Sequence, residues 1–351
     1  MNSISSSFVN IPTTNYATSA PVASGVGNVV AEEQSSISTA DGFVRSSSDD
    51  DQLKLSSDLK SASVSSVDTK KKSEPVTITI ISTNDMHGKL DKMPKVAGVL
   101  DALKAQYPDA IVIDGGDSSY NPPFSTGHRF EPVTQVLNEM PYDIIGLGNH
   151  EFQYGKGATV SEFVNKVNAD VIAGNVHADY VGGYLEGVKP YVVKDVGGVK
   201  VAFVSMLEPK MHTKPNPHVG KDLVKEMPVD AMKRLMPELQ ANADIIIGVN
   251  HQGLNDDKDL AKAVDGITAI FSSHDHAITE SPIQVGSYPN STYIVESGSH
   301  CKLVGLTQIT VDPDTKEVLD FQFTNYPVQT FNCKPNERVE QIVKPYIRHE
   351  K

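Results

Sequence analysis

Three things are scarce in this chain of 351 residues: cysteine, long apolar runs and positive charge. Its two cysteines, Cys301 and Cys333, are too few for a disulfide framework and leave at most one bridge open. No run approaches the ~20 consecutive apolar residues of a spanning helix, so no membrane partner is expected. Lys and Arg total 31 against 44 Asp and Glu. The formal charge of −13 disfavours nucleic acid as a partner, because non-specific binding there depends on cations that neutralise phosphates. What remains is a 39% apolar chain with room for one large domain or two small ones around a sizeable core.

Scarcity also divides the chain. Residues 1–72 hold 18 serines but neither histidine nor cysteine, and their only aromatics are Phe8, Tyr16 and Phe43. With so little to bury, this Ser-rich leader is expected to be disordered. It lacks the charged start, apolar stretch and small-residue cleavage site of a secretory signal. The expected location is therefore cytoplasmic, or outside the cell by a route that cleaves no signal. All eleven histidines lie beyond the leader.

Pro75 to Ile81 is a β-branched run that reads as a buried strand, and it leads directly into Asn84-Asp85-Met86-His87-Gly88. Ala110 to Asp114 reads as a second strand, ending in Gly115-Gly116-Asp117. Tyr142 to Leu147 is a third, ending in Gly148-Asn149-His150-Glu151-Phe152. Helical spacing over Val96 to Tyr107 and Pro132 to Glu139 makes this a β-α-β-α-β series with a mainly parallel sheet. The second half repeats the pattern. A helix over 229–241 precedes a strand over Asp244 to Val249 and the motif Asn250-His251-Gln252-Gly253. A helix over Asp257 to Val264 precedes a strand over Ile267 to Phe271 and the motif Ser272-Ser273-His274-Asp275-His276. Val199 to Val204, Thr292 to Glu296 and Leu303 to Val311 look like further strands, enough for a second sheet packed on the first. Asp312 to Lys316 reads as a hairpin turn, and residues 335–351 as a short amphipathic helix.

Five strands thus end in residues that can bind metal. In an extended segment, side chains two apart share a face, so Asp85 with His87, and His274 with His276, can each hold one ion. Gly116 lets the backbone at Asp117 come close, and a carboxylate there can bridge two ions. Asn149 adds an amide oxygen and His251 an imidazole. This mixture of donors suits Mn²⁺, Zn²⁺ or Fe²⁺ better than Ca²⁺ or Mg²⁺, which prefer all-oxygen shells. Any one of these pairs is a frequent accident, but five at successive strand ends are not. His128, His177, His212, His218, His300 and His349 fit none of the motifs and read as ordinary histidines.

The ordered set Asp85-x-His87, Gly116-Asp117, Gly148-Asn149-His150-Glu151, Asn250-His251-x-Gly253 and His274-x-His276 resembles the calcineurin-like metallophosphoesterases. The phrases Thr83 to Gly88, Gly148 to Phe152 with Tyr154-Gly155, and Glu296 to Leu306 resemble most closely the 5′-nucleotidase and UDP-sugar hydrolase branch. The likeness covers roughly residues 75–330. It implies an α/β fold, a four-layer α-β-β-α sandwich of two mixed sheets. The catalytic domain would occupy residues 73–330, followed by a helical tail over 331–351. It also implies one metal ion held by Asp85, His87, Asp117 and His276, a second held by Asp117, Asn149, His251 and His274, and a catalytic His150 beside the phosphoryl group. The substrate it implies is a small phosphorylated molecule, a nucleotide above all.

Three positions depart from that family's pattern. Gln153 stands where an Asp usually orients the catalytic His, Ser273 where a Gly usually precedes the H-x-H pair, and Tyr120-Asn121 where Gln-Gly is common. Nucleotidases of the branch also carry a second, C-terminal domain that holds the nucleoside, and this chain stops at Lys351. The leading expectation is hydrolysis of a phosphate ester or nucleotide phosphoanhydride. The rival is a slow or inactive module that binds nucleotide or phosphate, with Gln153 as its sign. An exported effector that depletes a nucleotide is a variant motivated by the leader.

Overall fold

The computed structural model describes residues 73–119, 130–153, 157–210, 222–287 and 290–347. The leader expected to be disordered lies outside them, as do Tyr120-Asn121, Tyr154-Gly155, His128, His212, His218 and His349.

The first sheet begins with four parallel strands, β1 (Val76–Thr83), β2 (Ile111–Asp114), β3 (Ile144–Gly146) and β4 (Asp170–Ile172). A small antiparallel pair follows, β5 (Val176–His177) with β8 (Val224–Lys225). The second sheet takes β6 (Tyr191–Val196), β7 (Val199–Val204), β9 (Ile245–Val249), β10 (Ala269–Phe271), β11 (Ile283–Val285) and β12 (Thr292–Val295), in the order β11-β12-β10-β9-β7-β6. Its inner strands are parallel and its two edges antiparallel, so this sheet is mixed.

The sequence reading needs one correction here. Leu303 to Val311 was expected to help build the second sheet. As β13 (Leu303–Val311) it instead pairs antiparallel with β1, from Val76 opposite Val311 to Ser82 opposite Gly305. With β14 (Val318–Pro327) it completes a six-stranded first sheet, β14-β13-β1-β2-β3-β4. The hydrophobic alternation of a strand says which face is buried, not which sheet receives it. Residues 296–302 therefore cross from one sheet to the other, and that crossing passes the site.

Apolar alternation explains the layers. In β9, Ile245, Ile247 and Val249 face the first sheet while Ile246 faces helices; in β2, Ile111 and Ile113 face the second sheet while Val112 faces the opposite side. Both faces of each sheet are covered, so these strands read as continuous apolar runs. Over the first sheet lie α1 (Met93–Gln106), α2 (Glu131–Glu139), α3 (Gly157–Val164) and α6 (Glu337–Ile347). Over the second lie α4 (Pro228–Asn242) and α5 (Leu254–Ala263). The result is the α-β-β-α sandwich. α6 buries Val339 and Val343 in the same core as Leu100 and Val136. Cys301 and Cys333 are both free. Among the described residues no helix is long and apolar enough to cross a membrane.

Candidate active site

The carboxyl ends of β1, β2 and β3 in one sheet and of β9 and β10 in the other meet at one edge of the sandwich. Close approach there depends on glycine. A Cβ on Gly148 would fall 2.2 Å from Asp117 Oδ1 and one on Gly116 would fall 2.6 Å from the Gly148 nitrogen, so only glycine lets these two loops touch. Glu151 then ties them together. Its fully buried carboxyl accepts from the backbone N–H groups of Gly148 (2.8 Å), Asp117 (3.0 Å) and Ser119 (3.1 Å). Burial and the neighbouring Asp117 push this carboxyl up to about 7, against the pull of its N–H donors. Glu151 is thus the buckle of the two loops, a role that its place in the Gly148 to Phe152 motif does not announce.

One group of donors gathers around Asp85. His87 Nε2 and His276 Nε2 stand 2.9 Å apart, and lie 3.6 and 3.4 Å from Asp85 Oδ1. That oxygen is buried without a hydrogen-bond partner, while Oδ2 accepts from Asn84 Nδ2 and from the His274 backbone N–H. The two imidazole nitrogens can share a hydrogen bond, but the buried, unsatisfied carboxylate oxygen beside them is costly unless a cation completes it. The residues present fit a metal ion. Burial holds His87 down at about 4, so its ring is neutral, as a ligand must be.

A second group gathers around Asp117. His251 Nε2 lies 3.1 Å from Asp117 Oδ2 and 3.2 Å from Asn149 Oδ1, and His274 Nδ1 lies 3.0 Å from the same Asn149 oxygen. Burial alone would raise the Asp117 carboxyl, but the facing His251 holds it below the usual range. Burial likewise opposes a charge on His251, and the Asp117 carboxylate overrides it and lifts the imidazole to about 10, a proton that a metal ion bound there would displace. His251 Nδ1 is 2.9 Å from the Gly115 carbonyl, which directs Nε2 into the site. Asp117 also has His87 and His150 near it: donor atoms of these three residues lie within 4.8 Å of one another, as do those of Asp117, His251 and His274.

His150 follows Asn149 in a short 3₁₀ turn, Asn149–Phe152. Its backbone N–H donates to Asp117 Oδ1 at 2.8 Å, and its ring Nε2 stands 3.8 Å from Asp117 Oδ2 with part of the side chain exposed. Its ring packs 5.1 Å from that of His87.

The structure thus brings Asp85, His87, Asp117, Asn149, His150, His251, His274 and His276 to one place, but it corrects the geometry argued from strand spacing. Asp85, His87, His274 and His276 have φ of 50°, 50°, 98° and 63°, so none is extended. The left-handed turn sends His276 toward Asp85 and His274 toward Asn149. The two histidines of the H-x-H pair therefore fall in different groups.

Two further residues belong to the site. Ser273 is fully buried, and its hydroxyl lies 2.7 Å from the Gly115 carbonyl and 2.5 Å from that of Asn250. It links the loop after β2 to the loop after β9, so this departure from glycine joins the two sheets' ligand loops. His300, which fits no motif, packs its ring 4.9 Å from that of His87 and 5.1 Å from that of His276. No spacing signal could have found it, because it lies on the crossing between sheets, 24 residues after His276.

Residues 78–277 match the calcineurin-like phosphoesterase family. The chain is similar to the 5′-nucleotidase of Bos taurus, 25% identical over 241 residues that cover 61% of this chain and 42% of that protein. It is also similar to the trifunctional nucleotide phosphoesterase protein YfkN of Bacillus subtilis, 24% identical over 269 residues that cover 67% of this chain and 18% of that one. The chain therefore spans about half or less of the length of these curated relatives. Among solved structures, a 5′-nucleotidase precursor from Thermus thermophilus superposes with a TM-score of 0.68 at 20% identity, covering 77% of this chain and 58% of that one. The YfkN phosphoesterase of Bacillus subtilis superposes with a TM-score of 0.67 at 21% identity, covering 78% and 97%. These likenesses agree with the sandwich described above, and the match over more than half of its length shows that this chain belongs to the calcineurin-like phosphoesterases, a family of hydrolases that bind divalent metals.

Proposed function

We propose that this protein hydrolyses phosphate esters with two divalent metal ions and that its substrate is a small nucleotide. The observation that carries the reading is the placement of Asp117, whose carboxyl group lies within reach of both donor groups. Asp85, His87, Asp117 and His276 would hold one ion, and Asp117, Asn149, His251 and His274 the other. Imidazole, carboxylate and amide oxygen together favour Mn²⁺, Zn²⁺ or Fe²⁺. Such ions supply Lewis acidity at the phosphoryl group and lower the pKa of water.

The chain's own residues do the rest. Glu151 and Ser273 tie together the loops that carry the proposed ligands. His150, anchored through its backbone to Asp117, keeps its ring beside that carboxyl and in part exposed, where it can stabilise developing charge and give a proton to the leaving oxygen. The nucleotide part of the reading draws support from the names of the relatives, which are nucleotidases and nucleotide phosphoesterases.

The test is a phosphate-release screen on metal-reconstituted protein with nucleotides, cyclic nucleotides, nucleotide sugars and an aryl phosphate, alongside elemental analysis. The expected result is two ions per chain and turnover of at least one nucleotide. A folded protein that retains one ion or none overturns the two-metal reading. Tight phosphate or nucleotide binding without turnover of any substrate would favour the interaction module instead.

A further inference from the structure

Asp117, after a strand of the first sheet, and His251, after a strand of the second, face each other at 3.1 Å. Each is gripped from both sides by a buried carboxyl group that is not among the clustered donors. Asp114, the last residue of β2, is fully buried. Its Oδ1 accepts from the Gly116 backbone N–H at 3.0 Å and from the Ser118 hydroxyl at 2.6 Å, and these residues stand on either side of Asp117. Asp257, in the first turn of α5, is also fully buried. Its Oδ1 accepts from Asn250 Nδ2 and from Gln252 Nε2, both at 2.7 Å, and these residues stand on either side of His251. In each case one oxygen spans the residue between.

Both clamps are fastened to the framework. Asp114 Oδ2 accepts from Thr83 Oγ1 at 2.6 Å, and that hydroxyl lies 2.7 Å from Tyr142 Oη, so the end of β1, the end of β2 and the segment before β3 share one network. Asn250 Oδ1 accepts from the Met206 backbone N–H at 3.0 Å, which ties the second clamp to the loop after β7. Stability alone does not call for such groups, because apolar residues of similar volume in place of buried charges are often neutral or stabilising. An apolar side chain could not hold two polar neighbours at once, and through them the residue between.

We infer that Asp114 and Asp257 are positioning residues for the two-ion centre, Asp114 fixing Asp117 and Asp257 fixing His251. This rests on the two-ion reading above and deepens it, because the clamps act on different ions. Asp257 serves the ion of Asn149, His251 and His274. Asp114, through the shared Asp117, serves both.

The experiment titrates the chelator-treated full chain with Mn²⁺ alone and reads stoichiometry and stepwise affinity by calorimetry, beside thermal melts. Alanine and asparagine variants of Asp114 and Asp257 are compared with the wild type and with the ligand variants His274→Ala and His276→Ala. Loss of an outer partner of a metal ligand corresponds to ~10–100-fold in metal affinity. Asp257→Ala is expected to weaken by that factor the binding step that His274→Ala removes and to leave unchanged the step that His276→Ala removes. Asp114→Ala is expected to weaken both steps. The asparagine variants keep an acceptor at Oδ1, and in Asp114→Asn the new Nδ2 donates to Thr83 Oγ1, whose own proton turns to Tyr142 Oη. They should bind both ions as the wild type does. If an alanine variant fails to fold, Gln252→Ala or Ser118→Ala, which removes one arm of the clamp, takes its place with the same pattern expected. Equal weakening of both steps by Asp257→Ala, or asparagine variants that lose as much affinity as alanine, would overturn the inference and make these carboxyls supports of the fold. If the wild type binds fewer than two ions, the two-ion reading itself fails; if it binds two and the variants show no such split, only this inference does.

Discussion

Glu296 offers a quantitative test of how the site region is built. It lies on the crossing between the sheets and is 2% exposed, with one carboxyl oxygen accepting from the Ala277 backbone N–H at 2.9 Å. Burial, and then the nearby Asp275, push its carboxyl from 4.5 up to about 9. The sign follows from linkage. Below pH 4.5 both the folded and unfolded chains hold the proton, and the residue contributes no pH dependence. Above it the unfolded chain ionises while the folded one does not, so stability is lost as pH rises toward 9. At 1.36 kcal/mol per pH unit the cost at pH 8 reaches about 5 kcal/mol, a ceiling that water entering the site would lower. Glu296→Gln keeps the shape, the acceptor and a donor toward Asp275 but cannot ionise. For a chain of this size about 2 °C of melting temperature corresponds to 1 kcal/mol. In chelator-treated protein the variant should therefore melt roughly 5–10 °C above wild type at pH 8 and within about 2 °C of it at pH 4.5. A difference that is the same at both pH values, or a variant less stable at pH 8, would refute the assignment of a protonated carboxyl.

Other expectations concern the reaction. His150→Ala should lower kcat by ~10²-fold or more at unchanged metal content, measured by steady-state kinetics beside elemental analysis. Gln153→Asp should raise the rate most for esters with poor leaving groups and little for an activated aryl phosphate, because an anion near His150 favours the imidazolium that donates the proton; a linear free-energy plot against leaving-group pKa would show a shallower slope. Ser273→Ala removes a donor shared by two buried carbonyls, so chelator competition should show metal affinity ~10-fold weaker or more, with a stability loss of about 1–3 kcal/mol in thermal melts.

The strands could be read from sequence because the sandwich covers both faces of each sheet. Ile245 to Val249 carries no polar side chain, and Ile78, Ile80 and Ile81 are all buried, so such runs stand out against the polar motifs that end them. Assigning strands to sheets was harder. Leu303 to Val311 has the alternation of a half-buried strand, and only its register with Val76 to Ser82 places it beside β1. The short strands β4 and β6 were invisible for the opposite reason: Asp170–Ile172 and Tyr191–Val196 are too brief or too polar to announce themselves, and their pairing comes from neighbours in space.

The site was legible in its residue types but not in its geometry, and the cause is backbone conformation. Of the eight residues other than glycine with positive φ among the described residues, Asp85, His87, Asp117, His274, His276, His300 and Cys301 all line or adjoin the site. A period-2 argument assumes extended backbone, so it fails for Asp85, His87, His274 and His276, whose turns are left-handed. Each such residue costs about 1–2 kcal/mol, and together they represent a strain that local sequence cannot sustain. The first sheet's ladder, the Glu151 buckle and the Ser273 link hold the loops against that strain. A conformation fixed by distant partners leaves no trace in local spacing, which is why His300 stayed hidden while Asp85 and His87 did not. The same distant partners hold the donor groups of the candidate site side by side, and a bound ion would relieve the cost of crowding them.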